Sequence, residues 1–270
     1  MGERDAIERV AEPVTVDSMV SDLRALGIET GATLLVHSSL SALGWVSGGA
    51  QAVVDALRRT ISESGTLVMP THTPQYTDPA GWSNPPVPES WYEPIRESMP
   101  AYRPAVTPTR DVGAIPECFR TYPDVQRSLH PEVSFAAWGA DAEAIVSGHA
   151  IDYGLGERSP LARIYDTDGK ILLLGANHNT NTSLHLAEYR ADISAPKVSN
   201  AAPIRRDGER VTVEYVDIGL STEDFLDIGA AFEREHDVRT GQVGAADATL
   251  IAQRPLVDFA VDWLEGNRKQ

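Results

Sequence analysis

The sequence predicts an α/β fold, because apolar segments of strand length alternate with segments of helical pattern. Three short apolar runs, at residues 33–37, 65–70 and 170–174, are typical of strands that are covered on both faces of a sheet. The first and third runs lead into loops of small or polar residues and then into helices. Strand, loop and helix in that order are the repeating unit of α/β proteins.

The first half of the chain predicts two helices and a long loop. Thr15 caps a segment with helical apolar spacing that ends at Gly27, and a second helix is predicted from about Ala50 to Glu63. Residues 74–108 are rich in proline and tryptophan and too long for a simple connection, which favours a lid or specificity loop. A helix is predicted near 114–120, and a strand in the second part of 127–138.

The second half predicts further helices and a hairpin. Ser159 and Pro160 are typical of a helix start. Residues 206–209, Arg-Asp-Gly-Glu, form a hairpin signal between two strand patterns. Helices are predicted from 221 to about 235 and from about 255 to 264. The absence of repeats and linkers in the sequence predicts one domain, residues 1–270, with a long loop insertion at about 74–108.

Composition and charge exclude several classes of protein. The 270 residues carry a formal net charge of −16, which argues against binding to nucleic acid or anionic membranes and favours a cationic small molecule as partner. A single cysteine, Cys118, rules out an internal disulfide and a cysteine-based structural zinc site. The sequence contains neither a signal peptide pattern nor an apolar run of membrane-spanning length, which predicts a cytoplasmic protein.

The stretch from residue 170 to 188 is the strongest candidate for a catalytic site. If a helix begins near Thr180 or Asn181, His178 lies just ahead of its first turn, where the helix dipole favours the neutral imidazole that a general base requires. Glu188 is then placed to orient or charge-balance that histidine. The alternative is structural: His178 as a hydrogen-bonded loop residue, and His185 with Glu188 as a surface pair three residues apart.

The loop after the first strand is a candidate anion site. Residues 38–49 are rich in serine and glycine and precede a helix, and such loops bind phosphates through backbone N–H groups. His37 closes the strand that leads into the loop, at the edge where open α/β sheets place ligands. The loop has neither a Walker sequence nor a dinucleotide fingerprint, so an ordinary connecting loop is the alternative.

Four motifs in order resemble the aminoglycoside 3-N-acetyltransferase family. They are His37-Ser-Ser-Leu-Ser-Ala-Leu-Gly-Trp-Val-Ser-Gly-Gly49, Gly65-Thr-Leu-Val-Met-Pro-Thr-His-Thr73, Arg127-Ser-Leu-His-Pro-Glu-Val-Ser134 and Gly175-Ala-Asn-His-Asn-Thr-Asn-Thr-Ser-Leu-His-Leu-Ala-Glu188. The resemblance covers about residues 15–265. It implies that family's own fold, a mixed central sheet flanked by helices, and direct acetyl transfer from acetyl-CoA to the 3-amino group of a 2-deoxystreptamine aminoglycoside, without a metal.

The resemblance also implies roles for single residues. His178 matches the histidine of the active-site motif and Glu188 its downstream carboxylate, while Thr71 matches a hydroxyl near the thioester. His37 opens the coenzyme A loop and is expected to touch both cofactor and chemistry. The implied coenzyme A contacts are His37, Ser38, Ser39, Leu40, Ser41, Leu43, Gly44, Val46, Gly48, Gly49, Thr109, Arg110 and Ser159, and the candidate substrate contacts are Asp78, Asp152, Tyr153 and Glu188.

Three other functions are kept as alternatives. The first is an acetyltransferase of the same family that acts on a different amine. The second is a metal-dependent hydrolase built on His37, His72, His178 and His185, although no tight ligand spacing supports it. The third is a non-catalytic protein that binds coenzyme A or cationic sugars. The expected assembly is a monomer or a homodimer.

Overall fold

The fold is built around a seven-stranded sheet. The computed structural model describes residues 3–268. The strand order is β3-β4-β2-β1-β5-β9-β8, and β6 and β7 form a separate two-stranded sheet. The strands are β1 Thr33–Ser38, β2 Thr66–Pro70, β3 Gln126–Arg127, β4 Phe135–Gly139, β5 Lys170–Leu174, β6 Lys197–Arg206, β7 Glu209–Ile218, β8 Arg239–Val243 and β9 Ala246–Ala252.

The helices cover both faces of this sheet. One core cluster joins the sheet to α2, α3 and α5, and the other joins it to α6 through α10. No helix within residues 3–268 combines the length and the apolar character needed to cross a membrane. The helices are α1 Glu3–Glu8, α2 Val16–Ala25, α3 Gly49–Ile61, α4 Tyr92–Ser98, α5 Ala114–Phe119, α6 Ala142–Val146, α7 Pro160–Asp166, α8 Ser183–Arg190, α9 Phe225–Glu235 and α10 Gln253–Asn267.

Three central strands run parallel and bring the candidate motifs together. Strand β1 pairs in parallel with both β2 and β5, whereas β4 and β9 pair antiparallel with their neighbours, so the sheet is mixed as the resemblance implied. Because parallel strands end at the same edge of a sheet, the residues that follow β1, β2 and β5 meet there. The central strands are almost completely buried, in agreement with their apolar sequences.

Most elements predicted from the sequence are confirmed. Thr15 caps α2 through a capping box with Ser18, Ser159 caps α7, and the 206–209 turn joins β6 to β7. The prediction did not find α1, α4, α6, β8 or β9. The first three are short or polar, and the edge strand β8 is mostly exposed and lacks an apolar run.

The start of the site helix differs from the prediction, with consequences for the site. The Asn177 side chain accepts a hydrogen bond from the Asn179 N–H, and residues 178–180 close a separate 3₁₀ turn. Asn181, with ψ 89°, interrupts the helical path, and α8 begins only at Ser183. His178 and α8 therefore do not share one helix face.

The insertion at 74–108 is anchored by a buried arginine. It contains short 3₁₀ turns and α4, and Arg127 is only 9% exposed. The Arg127 guanidinium donates to the carbonyls of Pro104 and Thr107 in the insertion, at 3.1 and 2.6 Å, and to the Thr71 carbonyl at 2.6 Å. Arg127 thus binds backbone carbonyls and joins the 74–108 segment to the end of β2.

Candidate active site

A large cavity lies at the edge where β1, β2 and β5 end. Its volume is about 1020 Å³, at the upper end of the ~300–1,000 Å³ typical of ligand pockets. The turn from Ser38 to Ala42 forms one wall, and polar residues of the 177–182 segment form another. Further walls come from residues 111–114 and 245–247, and from Phe225 on α9. The cavity therefore brings together the first, second and fourth sequence motifs.

Three histidines line this cavity. His37 is the penultimate residue of β1, His72 follows β2, and His185 lies in the first turn of α8. The Nε2 atoms of His37 and His72 and the hydroxyl of Ser38 are buried without a hydrogen-bond partner in residues 3–268. Buried polar atoms normally have partners, and unpaired ones mark places where a ligand or water completes the bonding. The cavity is thus suited to a ligand with several hydrogen-bonding groups.

Burial keeps two of these histidines neutral. Desolvation, assisted by electrostatic repulsion from His185, lowers the pKa of His37 and of His72 to about 3. Both imidazoles are therefore uncharged at neutral pH and are weak proton acceptors. Each can still donate a hydrogen bond from its N–H group.

The third histidine has a carboxylate partner. His185 Nδ1 lies 2.6 Å from Glu188 Oε2, and the Glu188 side chain is only 1% exposed. The other carboxylate oxygen, Oε1, accepts from the Ser221 N–H at 3.0 Å and from Arg268 at 2.6 Å. A buried carboxylate that accepts the Nδ1 proton fixes the imidazole and leaves Nε2 as the proton-accepting atom. The pair is buried, not the surface pair considered from the sequence.

His178, the base proposed from the sequence, lies outside the lining of this cavity. Its Nε2 is 3.0 Å from Glu233 Oε1 and its Nδ1 is 3.4 Å from the side-chain nitrogen of Asn181, so both ring nitrogens are engaged within the fold. The ring packs against α9, where a side chain on Gly229 would come within 2.1 Å of it. This environment matches the structural alternative of a hydrogen-bonded loop histidine, and Glu188 pairs with His185 instead.

Thr71, the expected hydroxyl near the thioester, is fully buried outside the cavity lining. Its hydroxyl lies 3.1 Å from Arg127 Nε and 3.3 Å from the Ser134 hydroxyl. The next residue, His72, reaches the cavity instead, because successive side chains of an extended segment point to opposite sides.

The predicted coenzyme A contacts divide into two groups. His37 and residues 38–41 line the cavity as expected. Thr109 is bound to Glu117, Arg110 donates to the Asn84 carbonyl, and Ser159 is a fully buried helix cap. The cavity lining does not include Leu43, Gly44, Val46, Gly48, Gly49, Thr109, Arg110 or Ser159.

The candidate substrate contacts lie in two other places. Asp152, Tyr153 and Glu188 line a second cavity of about 380 Å³, together with Glu157. Since Glu188 borders this cavity and its partner His185 borders the first, the pair lies between the two. Asp78 lies elsewhere, in an ion pair with Arg96 at 2.9 Å that holds the pKa of the Asp78 carboxyl below its usual value.

The histidines do not form a metal site in the part of the chain that is described. Residues 3–268 contain no group of three or more His, Cys, Asp or Glu side chains placed to hold a metal ion. The metal-dependent hydrolase considered from the sequence therefore lacks a ligand set there.

Gly175 lies where two backbone segments approach closely, so a side chain at this position should destabilise the fold. Gly175 has φ +62°, and an added Cβ would lie 2.3 Å from the Ala42 Cβ in the cavity wall. We expect Gly175→Ala to lower the free energy of unfolding by about 2–4 kcal/mol, from backbone strain and displacement of the 39–42 turn.

Denaturant unfolding checks this expectation, with Gly208→Ala as the matched control. Gly208 also has positive φ, +86°, but a Cβ added there would meet nothing within 4 Å. In Gly208→Ala only backbone strain should lower the free energy of unfolding, by about 1 kcal/mol. Equal losses in the two variants would show that the contact with Ala42 is unimportant.

The fold and the site together are typical of an enzyme: a hydrogen-bonded His–Glu pair lies between a large cavity and a second, smaller one. The sequence model of the aminoglycoside 3-N-acetyltransferase family matches residues 35–265, and the chain belongs to this family. A prophage-derived aminoglycoside N(3')-acetyltransferase-like protein, YokD, of Bacillus subtilis is 48% identical, over 97% of this chain and 96% of its own length. Aminoglycoside N(3)-acetyltransferase VII of Streptomyces paromomycinus is 37% identical, over 98% and 96%.

Solved structures agree with this assignment over nearly the whole chain. The crystal structure of YokD has a TM-score of 0.95 at 46% identity and covers 98% of both chains. A binary complex of AAC-IIIb with CoASH has a TM-score of 0.86 at 32% identity, covering 96% of this chain and 99% of the other. AAC-VIa bound to sisomicin has a TM-score of 0.87 at 32% identity, covering 96% and 100%. The fold implied by the four sequence motifs is confirmed.

Proposed function

We propose that this protein transfers the acetyl group of acetyl-CoA directly to the 3-amino group of 2-deoxystreptamine aminoglycosides, with His185 as general base. The observation that carries the proposal is the buried His185–Glu188 pair at the wall of the large cavity. Family relatives whose structures contain CoASH or sisomicin support the two substrates. Acetyl-CoA, when bound, supplies the acetyl group as a thioester.

We assign the role of proton acceptor to His185 and not to the other histidines near the site. An aminoglycoside amine is mostly protonated near neutral pH and must lose a proton to become a nucleophile. His37 and His72 are poor acceptors because burial lowers the pKa of each to about 3. His178 is bound to Glu233 away from the cavity. His185 alone among the four combines access to the cavity with a carboxylate that balances the imidazolium.

Uncharged hydrogen-bond donors at the ends of β1 and β2 are suited to bind the carbonyl oxygen of the acetyl group. The negative charge that develops on a thioester carbonyl oxygen needs hydrogen-bond donors. Thr71, expected in this role, is already bound to Arg127 and Ser134. His37, His72 and Ser38 offer unpaired polar atoms in the cavity, and we assign the donor role to this group. Ser39, Leu40 and Ser41 then contact the cofactor from the adjoining turn.

Direct transfer fits the chemistry of the lining. A transfer through an acyl-enzyme requires a nucleophile activated beside the acyl group. Cys118, the only cysteine in the sequence, lies outside the cavity lining. Within residues 3–268 the serine hydroxyls of the lining have no imidazole or carboxylate partner to activate them: Ser38 is unpaired, and Ser39 and Ser41 bond to each other. The second cavity is our candidate for the remaining ammonium groups of the substrate, with Asp152 as the carboxylate and Tyr153 as a further contact. Its other two carboxylates, Glu157 and Glu188, are already paired with arginines. Asp78 is committed to Arg96 and is not part of this assignment.

The test is a substrate panel assayed by thiol release from acetyl-CoA. The panel contains 2-deoxystreptamine aminoglycosides with and without a free 3-amino group, and simple amines of similar charge. We expect turnover only for compounds with the free 3-amino group, and mass spectrometry should show one added acetyl group at that nitrogen. Turnover of simple amines but not of aminoglycosides would favour the alternative of a relative that acetylates a different amine.

A further inference from the structure

We infer that Arg268 is a positioning residue of the active site, which holds the Glu188 carboxylate fixed and charged so that His185 presents Nε2 as the proton acceptor. The inference rests on the proposed function, because it needs the His185–Glu188 pair to be the catalytic one. Arg268 lies beyond residues 35–265, the stretch that the family model matches. Its role therefore follows from this structure and not from the family pattern.

The buried Glu188 carboxylate needs a positively charged partner. Its side chain is only 1% exposed, and a buried carboxylate is costly unless it is paired and hydrogen-bonded. While His185 is neutral, as a base must be before it acts, the positive charge has to come from elsewhere. Within residues 3–268, Arg268 is the only arginine or lysine that forms an ion pair with Glu188, with 2.6 Å from its terminal nitrogen to Oε1.

The guanidinium of Arg268 is itself held in place by hydrogen bonds. Arg268 Nε lies 2.6 Å from Asp224 Oδ2, and the second terminal nitrogen donates to the Ser221 carbonyl at 3.1 Å. Burial acts to lower the pKa of Arg268, but the hydrogen bonds to Glu188 and Asp224 outweigh it and raise that pKa. The planar fork of arginine presents separate nitrogens to two carboxylates in a fixed geometry, whereas the ammonium of lysine is a single point charge on a flexible stem. The arginine is thus held from the segment that precedes α9.

The charge of Glu188 determines the tautomer of His185. A charged Glu188 accepts the Nδ1 proton through Oε2, which leaves the Nε2 lone pair free. Without Arg268, a buried carboxylate beside an imidazole has a stronger tendency to keep a proton shared between them. The population of His185 that is ready to accept a proton from the substrate would then fall at any given pH.

Removal of Arg268 should therefore shift the pH profile. Loss of a positive charge near the pair favours protonated His185, so the acid limb of kcat/KM should move to higher pH by about 0.5–1 unit. The other groups around His185 do not change: its own helix supplies Glu188, α9 supplies the uncharged Phe225 ring at 4.8 Å, and His37 and His72 stay neutral above about pH 4. Asp111 and Asp247 line the same cavity.

The experiment compares Arg268→Gln, Arg268→Lys and the control Arg254→Gln in the full chain. Arg254 pairs with Asp168 on the surface, with side chains 39% and 77% exposed. For Arg268→Gln we expect kcat to fall about 5- to 50-fold, the KM for acetyl-CoA to stay within about twofold, and the acid limb to move up. Arg268→Lys should return the limb toward its wild-type position with kcat still reduced, and Arg254→Gln should match wild type.

A purely structural role would lower the melting temperature of Arg268→Gln and leave the acid limb in place, and that result overturns the inference. Should Arg268→Gln not fold, Arg268→Lys carries the test, and a kcat within about 1.5-fold of wild type would overturn it. The variant His185→Ala distinguishes a wrong base assignment from a wrong role for Arg268. If His185→Ala retains activity, the base assignment fails and this inference with it. If His185→Ala is inactive while the Arg268 variants behave like wild type, only this inference fails.

Discussion

Replacement of His185 by alanine is expected to lower kcat for acetyl transfer by about 10²- to 10⁴-fold, the usual contribution of a general base. The amine would then lose its proton only to water or buffer. Thiol release at saturating acetyl-CoA and aminoglycoside measures the effect. Under the proposed function the acyl donor would also contact other walls of the cavity, such as Ser38 and Thr182, so we expect the KM for acetyl-CoA to change by only about threefold.

The matched control is His178→Ala, since the chain contains two His–Glu pairs. His178 is paired with Glu233 at 3.0 Å, and its side chain is 8% exposed, as buried as that of His185 at 14%. Loss of its hydrogen bonds should lower the free energy of unfolding by about 1–3 kcal/mol while kcat stays within a few-fold of wild type. The reverse result, a silent His185→Ala and an inactive His178→Ala, would return the base assignment to His178.

The sequence predicted where the candidate motifs meet, because strand ends are visible in the pattern. The apolar runs of β1, β2 and β5 are distinct, and each ends in polar or small residues, so their meeting at one sheet edge follows from parallel pairing. The helices with clear caps and apolar faces were predicted for the same reason. Strands β8 and β9 were not, although residues 248–252 of β9 pair with all five residues of β5. Residues 239–252 lack the long apolar run that distinguishes a central strand.

Which histidine faces the cavity was beyond the sequence. His178 and His185 are seven residues apart, almost two full turns of a continuous helix, so one unbroken helix would place them on the same face. The interruption at Asn181 breaks that register and turns His178 toward α9. A recognisable signal was the spacing of three between His185 and Glu188, which favours contact within one helix whatever happens upstream. From the sequence, this pair was expected at most as a contact on the protein surface.

Arg268 shows a second limit of sequence reasoning. It lies 80 residues after Glu188, and nothing in the local pattern relates the two. Only the packing of α10 against α8, together with the turn before α9, brings the guanidinium to the carboxylate. Contacts between elements that are distant in sequence depend on the whole topology. The counter-charge of a buried acid is therefore among the last features that a sequence can predict.

Replacement of Glu188 by glutamine is expected to lower kcat by about 10²- to 10⁴-fold although the side chain keeps its size. The glutamine amide can donate to Nδ1 of His185, which would place the imidazole proton on Nε2, the atom that must accept the proton of the amine. The same change removes one of the two carboxylate partners of Arg268, which keeps its ion pair with Asp224, and we expect a loss of about 1.5–3 kcal/mol in the free energy of unfolding. Thiol release and denaturant unfolding measure the two effects separately.

Glu233→Gln is the control for this variant, because it makes the same chemical change in the other His–Glu pair. The Glu233 side chain is 37% exposed, so its charge is largely solvated, and a stability change of about 1 kcal/mol or less is expected, with kcat near wild type. Glu188→Asp separates charge from reach: it keeps the carboxylate but shortens the side chain, which lengthens the 2.6 Å contact with His185. Activity in Glu188→Gln above that of Glu188→Asp would mean that orientation, and not charge, is what Glu188 contributes to the pair.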